Sequence, residues 1–128
     1  MALGTMTWGR DTDEPEARSQ YKAFIEAGGN FLDTADTYSK GNSEELVGQI
    51  IAEIGNRDSI FIATKAVKVE LPRMYNASAI HITDALEASL NRLGVDHVDL
   101  WQMHGWDSIT PIDETLRAVS NLYSQGKF

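Results

Sequence analysis

The chain has 128 residues, with 11 basic against 19 acidic side chains, a net charge of −8 and no cysteine. That length suggests one domain, able to bury roughly two-thirds of its unfolded surface, and 42% hydrophobic with 23% charged residues is the balance of a soluble globular protein. The acidic surplus argues against a nucleic-acid or anionic-membrane partner, since both need a basic footprint. The absence of cysteine excludes disulfide and thiolate chemistry and fits a reducing compartment. No run approaches the ~20 apolar residues of a membrane span, and the apolar opening at 1–8 is too short for a signal peptide, so a cytoplasmic location is expected.

A first strand is predicted over residues 2–8, short and containing Gly4. Asp13, Pro15 and Glu16 then mark a helix start: a capping acid, a proline in the first turn and a glutamate placed for a capping box. Ala17, Tyr21, Phe24 and Ile25 form its apolar stripe, and Gly28-Gly29 ends it. A second strand is predicted over 30–33. The second helix opens near Asn42-Ser43-Glu44-Glu45 and carries Leu46, Ile50 and Ile54 on one face, with Gly55 closing it. The two glutamates are expected to favour its N-terminus electrostatically. A third strand over 60–65 leads through a loop containing Pro72 to a helix that Ser78 can cap, with Ala85, Leu86, Ser89, Leu90 and Leu93 inward and Gly94 at its end. A fourth strand is predicted over 98–104. Thr110-Pro111 then starts a fourth helix, with Leu116, Val119 and Leu122 inward and Gly126 behind it.

Strands alternating with helices imply an α/β fold on a parallel sheet. The repeat of about 32 residues fits a β/α unit, and four units have two readings. One is a small doubly wound, flavodoxin-like sheet. The other is a (β/α)4 half of a TIM-type (β/α)8 barrel, which takes ~250 residues when whole. Both place the strand ends on one face, and three runs end on an ionisable side chain: Asp33, Lys65 and His104. An acid, a base and an imidazole converging on one mouth is the arrangement of a catalytic site. The two-residue period of a strand sharpens this. With Lys65 inward, Ala63 and Phe61 point inward while Ile62 and Ile60 face helices. With His104 inward, Gln102, Leu100 and Val98 point inward while Trp101 and Met103 face helices.

Taken singly, each of these residues has an ordinary structural reading: a loop-capping acid, a strand-end lysine, a hydrogen-bonded histidine. Their joint order at one sheet face favours chemistry. His81 and His97 lack that context and read as surface residues. No metal-ligand spacing, glycine-rich phosphate loop or nucleophile elbow is present.

Several stretches carry a family resemblance. Asp33-Thr34-Ala35-Asp36-Thr37-Tyr38, with Gly29 to Leu32 before it and Ser43-Glu44-Glu45-Leu46-Val47-Gly48 after it, resembles the Asp-Thr-Ala-x-x-Tyr signature of the aldo-keto reductases. Ile62-Ala63-Thr64-Lys65 is similar to that family's lysine strand. Glu87-Ala88-Ser89-Leu90-Asn91-Arg92-Leu93-Gly94, followed by the strand ending at His104, is similar to the helix and strand that deliver its histidine. Leu3-Gly4-Thr5-Met6 resembles its first strand and nicotinamide-contacting loop. The likeness covers nearly the whole chain.

The resemblance implies a catalytic tetrad of Asp33, Tyr38, Lys65 and His104 acting in NADPH-dependent reduction of an aldehyde or ketone, a small-molecule carbonyl substrate. The cofactor supplies the hydride, so the protein must supply a proton and neutralise a developing alkoxide. Tyr38 is then the general acid, Lys65 eases its proton delivery, Asp33 holds Lys65, and His104 orients the carbonyl. Gly4, Thr5 and Met6 are implied cofactor contacts. Trp8 and Trp106, following the first and fourth strands, are expected as apolar walls of a substrate pocket.

The family fold is a whole barrel, whereas the chain ends after four units at Gln125-Gly126-Lys127-Phe128 and enters its first strand without the usual floor hairpin. The expectation is a truncated first half: all four tetrad residues survive, and the grip on the dinucleotide, including the basic residues that hold the adenosine phosphate, does not. A half-barrel exposes two strand edges and an apolar interior face, so self-association as a homodimer or larger assembly is expected, with two copies closing one eight-stranded barrel. Two further readings stand beside the reductase: a non-catalytic half-barrel scaffold, and a regulatory relative such as the potassium-channel beta subunits that share this fold.

Overall fold

Asp13 Oδ1 accepts a hydrogen bond from the Glu16 backbone N–H at 3.0 Å, and α1 (Glu14–Glu26) begins there with Pro15 in its first turn. Three further helices follow: α2 (Asn42–Ile54), α3 (Ala79–Leu93) and α4 (Ile112–Ser124). They alternate with four parallel strands, β1 (Ala2–Gly4), β2 (Phe31–Asp33), β3 (Phe61–Ala66) and β4 (Leu100–Met103), which pair in the order β1-β2-β3-β4. This is a computed structural model that describes residues 1–69 and 73–128; the loop expected through Pro72 lies partly outside them. Strands that pair strictly in chain order have no topological switch point, and this overturns the doubly wound alternative.

The strand register separates two faces. Ala2, Phe31 and Phe61 align in one row, and Gly4, Asp33, Ala63 and Leu100 in the next, with Lys65 beside Gln102 above them. The opposite face carries Leu3, Leu32 and Ile62 in one row and pairs Thr64 with Trp101. Helices cover this second face: Leu32, Ile62 and Trp101 are buried there with Val47, Ile50, Ile82, Leu86 and Leu93. Gly48 permits the tight fit between α2 and α3, because a Cβ there would lie 2.4 Å from the Leu93 carbonyl oxygen. Phe61 and Leu100, on the uncovered face, stay 36% and 37% exposed.

Several expectations need correction. The first strand stops at Gly4 rather than reaching Trp8, because the Thr7 carbonyl accepts from Arg10, Asp11 and Thr12 and turns the chain. Val98 does not point into the open face; it precedes β4 and is fully buried, its N–H donating to the Lys127 carbonyl. Met103 lies on the covered side but is partly exposed at the edge strand. Ile54, the last residue of α2, is exposed past the packed turns. Leu116 also faces solvent, since Thr115, one residue earlier, turns inward to donate its hydroxyl to the Ala77 carbonyl at 2.8 Å. Ser78 makes no side-chain cap; the Ala79 N–H donates instead to Glu114 Oε1 of α4 at 2.9 Å. His81 is half-buried rather than at the surface, with its pKa pushed down chiefly by burial. Among the described residues, no helix is long and apolar enough to cross a membrane.

Candidate active site

Asp33 ends β2, Lys65 stands one residue before the end of β3, His104 directly follows β4, and Tyr38 opens a short 3-10 turn over Tyr38–Gly41. The structure brings all four together. Lys65 Nζ lies 2.7 Å from Asp33 Oδ2, donates to the Thr34 carbonyl at 2.8 Å and reaches the Tyr38 hydroxyl at 3.4 Å. The ammonium also lies 5.0 Å from the centroid of the Tyr38 ring. Three donors thus meet three oxygens, which fixes the direction of the lysine head. Its side chain is only 15% exposed, so the Asp33 charge is felt with little screening. The His104 ring stands edge-on to Tyr38, with centroids 5.8 Å apart and planes at 83°. Burial is the main influence lowering the His104 pKa; Lys65 and Lys68 add to it and Asp33 opposes. The imidazole is therefore neutral at neutral pH, with one N–H to donate.

The surroundings explain why these positions hold. Behind Asp33, the Thr5 hydroxyl lies 2.7 Å from Ser43 Oγ and donates to the Asp33 carbonyl at 3.2 Å, while Ser43 Oγ lies 3.1 Å from Thr34 Oγ1. This buried hydroxyl cluster ties the ends of β1 and β2 to the start of α2. The Asp36 N–H donates to the Lys65 carbonyl at 3.0 Å, linking the tyrosine segment to β3. Beyond Tyr38 the backbone is left-handed at three successive residues: Ser39 (φ 51°), Lys40 (φ 57°) and Gly41 (φ 96°). Such conformations are costly for residues bearing a Cβ and persist only where surrounding contacts enforce them. Ser39 supplies one, donating to the Trp8 carbonyl at 2.6 Å.

Glu44 lies in the first turn of α2 as expected, and it also has partners that the sequence did not announce. It is fully buried, accepting from Thr64 Oγ1 at 2.5 Å and Arg92 Nε at 2.7 Å. Glu45, beside it in the same first turn, is exposed. Burial, and then the nearby Glu44 charge, push the Asp36 pKa up to about 6, against the pull of Arg92, the Thr37 N–H and Lys68.

The remaining expected site residues divide. Gly4 stands in register beside Asp33, and a Cβ added there meets nothing within 4 Å, so the sheet is open to an approaching ring at that point. Met6 is exposed on the following turn. Thr5 is buried, and its N–H, carbonyl and hydroxyl are all hydrogen-bonded within the chain, so no polar group of it is free for a cofactor. Trp8 is likewise no pocket wall: it is fully buried in the core and donates its indole N–H to Gln20 Oε1 at 2.9 Å. Trp106 is 71% exposed on the loop after β4. Sequence reasoning missed Glu44 with Arg92, and also Asp107 with Arg73. For Asp107 a signal existed, because Asp107-Ser108-Ile109-Thr110 has the composition of a side-chain-bonded turn.

A sequence model of the aldo/keto reductase family matches residues 1–128. The chain belongs to that family. It is 38% identical over 128 residues to the aldo-keto reductase YhdN of Bacillus subtilis, an alignment covering 98% of this chain and 38% of the relative. It is 41% identical over 127 residues to the aflatoxin B1 aldehyde reductase member 2 of Mus musculus, covering 98% of this chain and 34% of the relative. It is 38% identical over 123 residues to a probable voltage-gated potassium channel subunit beta of Arabidopsis thaliana, covering 94% and 38% respectively. Its fold superposes with a TM-score of 0.85 and 38% identity on the aldo-keto reductase AKR11C1 of Bacillus halodurans in its holo form, covering 98% of this chain and 42% of that one. The chain thus spans about two-fifths of the length of such relatives, and its four β/α units form a half-barrel of the TIM type.

Proposed function

We propose that these residues carry the proton-donating part of an NADPH-dependent reduction of an aldehyde or ketone to an alcohol. The observation that carries this reading is the Lys65 ammonium held between the Asp33 carboxylate at 2.7 Å and the Tyr38 hydroxyl at 3.4 Å. NADPH, when bound, supplies the hydride that adds to the carbonyl carbon. The carbonyl oxygen gains negative charge as that happens, and Tyr38 gives it the phenolic proton. The cation at Lys65 stabilises the phenolate left behind, and Asp33 keeps the cation aimed. His104, neutral and edge-on to Tyr38, donates its N–H to the same carbonyl oxygen and turns the carbonyl face for attack. The open ground over Gly4, with exposed Met6 beyond it, fits a flat ring lying next to Asp33. Thr5 serves that surface from behind, by holding the Asp33 backbone.

The test is NADPH oxidation with a reactive aromatic aldehyde, with cofactor binding measured separately. Tyr38→Phe is expected to lose turnover by about 10²–10⁴-fold and to keep cofactor binding. Equal rates for the two proteins would overturn the assignment of Tyr38.

A second reading, a half-barrel that assembles through its open edges, draws support from Phe31 and Phe61. Their rings stack at 4.8 Å on the uncovered face, beside exposed Leu100 and between strand edges that no other described strand pairs. Light scattering on a sizing column is expected to show a dimer or larger species. A stable folded monomer in dilute solution would remove this reading.

A further inference from the structure

The His104 ring has no side-chain tether of its own: Nδ1 is buried and has no hydrogen-bond partner among the described residues. Its backbone is held, the N–H donating to the Ala66 carbonyl at 2.8 Å. No side-chain hydrogen bond among the described residues sets its orientation against Tyr38, and the loop that leaves it is fastened three residues later by one carboxylate. Asp107, with a side chain 2% exposed, accepts four hydrogen bonds. Two come from the loop before α3: Arg73 Nη2 at 2.7 Å and the Ala77 N–H at 2.8 Å. Two come from its own loop: the Ile109 N–H at 2.9 Å and Thr110 Oγ1 at 2.6 Å. Arg73 extends the clamp by donating to Thr110 Oγ1 at 2.8 Å and, through Nε, to the Tyr75 carbonyl at 2.9 Å.

The clamped side of the first loop presses on the residue next to His104. A Cβ at Gly105 would lie 2.3 Å from Tyr75 Cε1, so only glycine lets the tyrosine ring close over the backbone there. One buried carboxylate thus joins two rim loops, and the joined loops pin the peptide between His104 and Trp106. Burial works against the ionised form of Asp107, but the four donors outweigh it and hold the carboxyl well below the usual range, so the clamp stays charged at neutral pH.

We propose that Asp107 is a positioning residue, setting the orientation of His104 against Tyr38 by fastening the loop after β4 to the loop before α3. The part of this that concerns catalysis rests on the reductase reading above; the orientation of the ring does not. Asp107→Asn keeps the size of the side chain but gives up the charge and one strong acceptor. Thr110→Val removes one donor to Asp107 and one acceptor for Arg73, and leaves the carboxylate in place.

The experiment is NMR of the whole 128-residue chain with labelled histidine and tyrosine, followed across a pH titration. The groups facing the His104 ring are Tyr38, Lys65, Lys68 and Asp33. In Asp107→Asn the His104 signals are expected to lose the shift imposed by the Tyr38 ring and their through-space contact with it. Their titration midpoint should rise towards that of an exposed histidine. Signals of the Lys65 ammonium should stay in place. Thr110→Val should show the same changes at smaller size, and it decides the matter if Asp107→Asn does not fold. Folded variants whose His104 signals coincide with those of the parent chain, whatever their melting temperature, would overturn the proposal. Where the parent chain reduces a carbonyl, Asp107→Asn should lower kcat/KM about tenfold or more, and an undiminished value alongside a displaced ring would overturn its link to catalysis. A displaced ring in a chain that never turns over would count against the reductase reading and leave the positioning role standing.

Discussion

The two faces of one four-stranded sheet differ in what they ask of the sequence. On the helix-covered face, Leu32, Ile62 and Trp101 are buried against helix residues, and the alternate strand positions are apolar except Thr64, which bonds Glu44. On the other face, Phe31 and Phe61 form the lower row, half-exposed, the next row sets Asp33 beside Ala63 and exposed Leu100, and Lys65 stands above it with His104 just past the end of β4. The first face supplies the core. The second contributes little burial, yet Asp33 and Lys65 stand on it and Tyr38 and His104 lie at its rim. Stability and chemistry are therefore separable along a two-residue period, and substitutions can show how cleanly.

The largest contrast is expected between Leu32→Ala and Phe61→Ala, residues of adjacent strands on opposite faces. Leu32→Ala leaves a cavity under the helices and should cost about 2–5 kcal/mol in denaturant unfolding. Phe61→Ala removes a half-exposed ring and its stacking on Phe31 and should cost about 1 kcal/mol. Equal losses would mean that the open face is covered in solution.

A smaller effect, of opposite sign, is expected at Asp36. Its folded pKa of about 6 lies above the ordinary 3.8, so the native state binds this proton more tightly than the unfolded chain does. The stability this provides is present below about pH 4 and lost as the pH rises through about 6. At pH 7 Asp36→Asn should therefore be more stable than the parent chain, by at most about 2 kcal/mol after solvent screening, and the gain should vanish on acidification. A gain independent of pH would show that the charge is not its cause. The smallest effect is expected at Tyr38. Tyr38→Phe should leave the unfolding free energy within about 0.5 kcal/mol, because the ring stays and only a long hydrogen bond is lost. A larger loss would mean that the polar rows of the open face also hold the fold together.

The elements and the convergence of Asp33, Lys65 and His104 were legible because they rest on local patterns: alternation along strands, caps and glycines around helices, and ionisable residues at strand ends; Tyr38 was singled out only through the family resemblance. Most of the misreadings at polar residues trace to hydrogen bonds between residues distant in the chain. Nothing near Glu44 in the chain announces Arg92, 48 positions away, as the partner that lets it be buried. Ser78 looks like a cap, but Glu114 from another helix takes the task. Trp8 follows the first strand, where a rim residue would stand, and the turn over the Thr7 carbonyl carries it into the core instead. Thr5, matched through its neighbours to a cofactor loop, spends its polar atoms on Ser43 and Asp33.

The three contacts of Lys65 radiate from a tetrahedral nitrogen: a carboxylate, a main-chain carbonyl and a phenol, none coplanar by necessity. A guanidinium offers its protons in a flat fork and cannot address that set from one atom. Exchanging Lys65 for arginine would preserve the sign of the charge and lose its shape, so at this position the protein is committed to an ammonium.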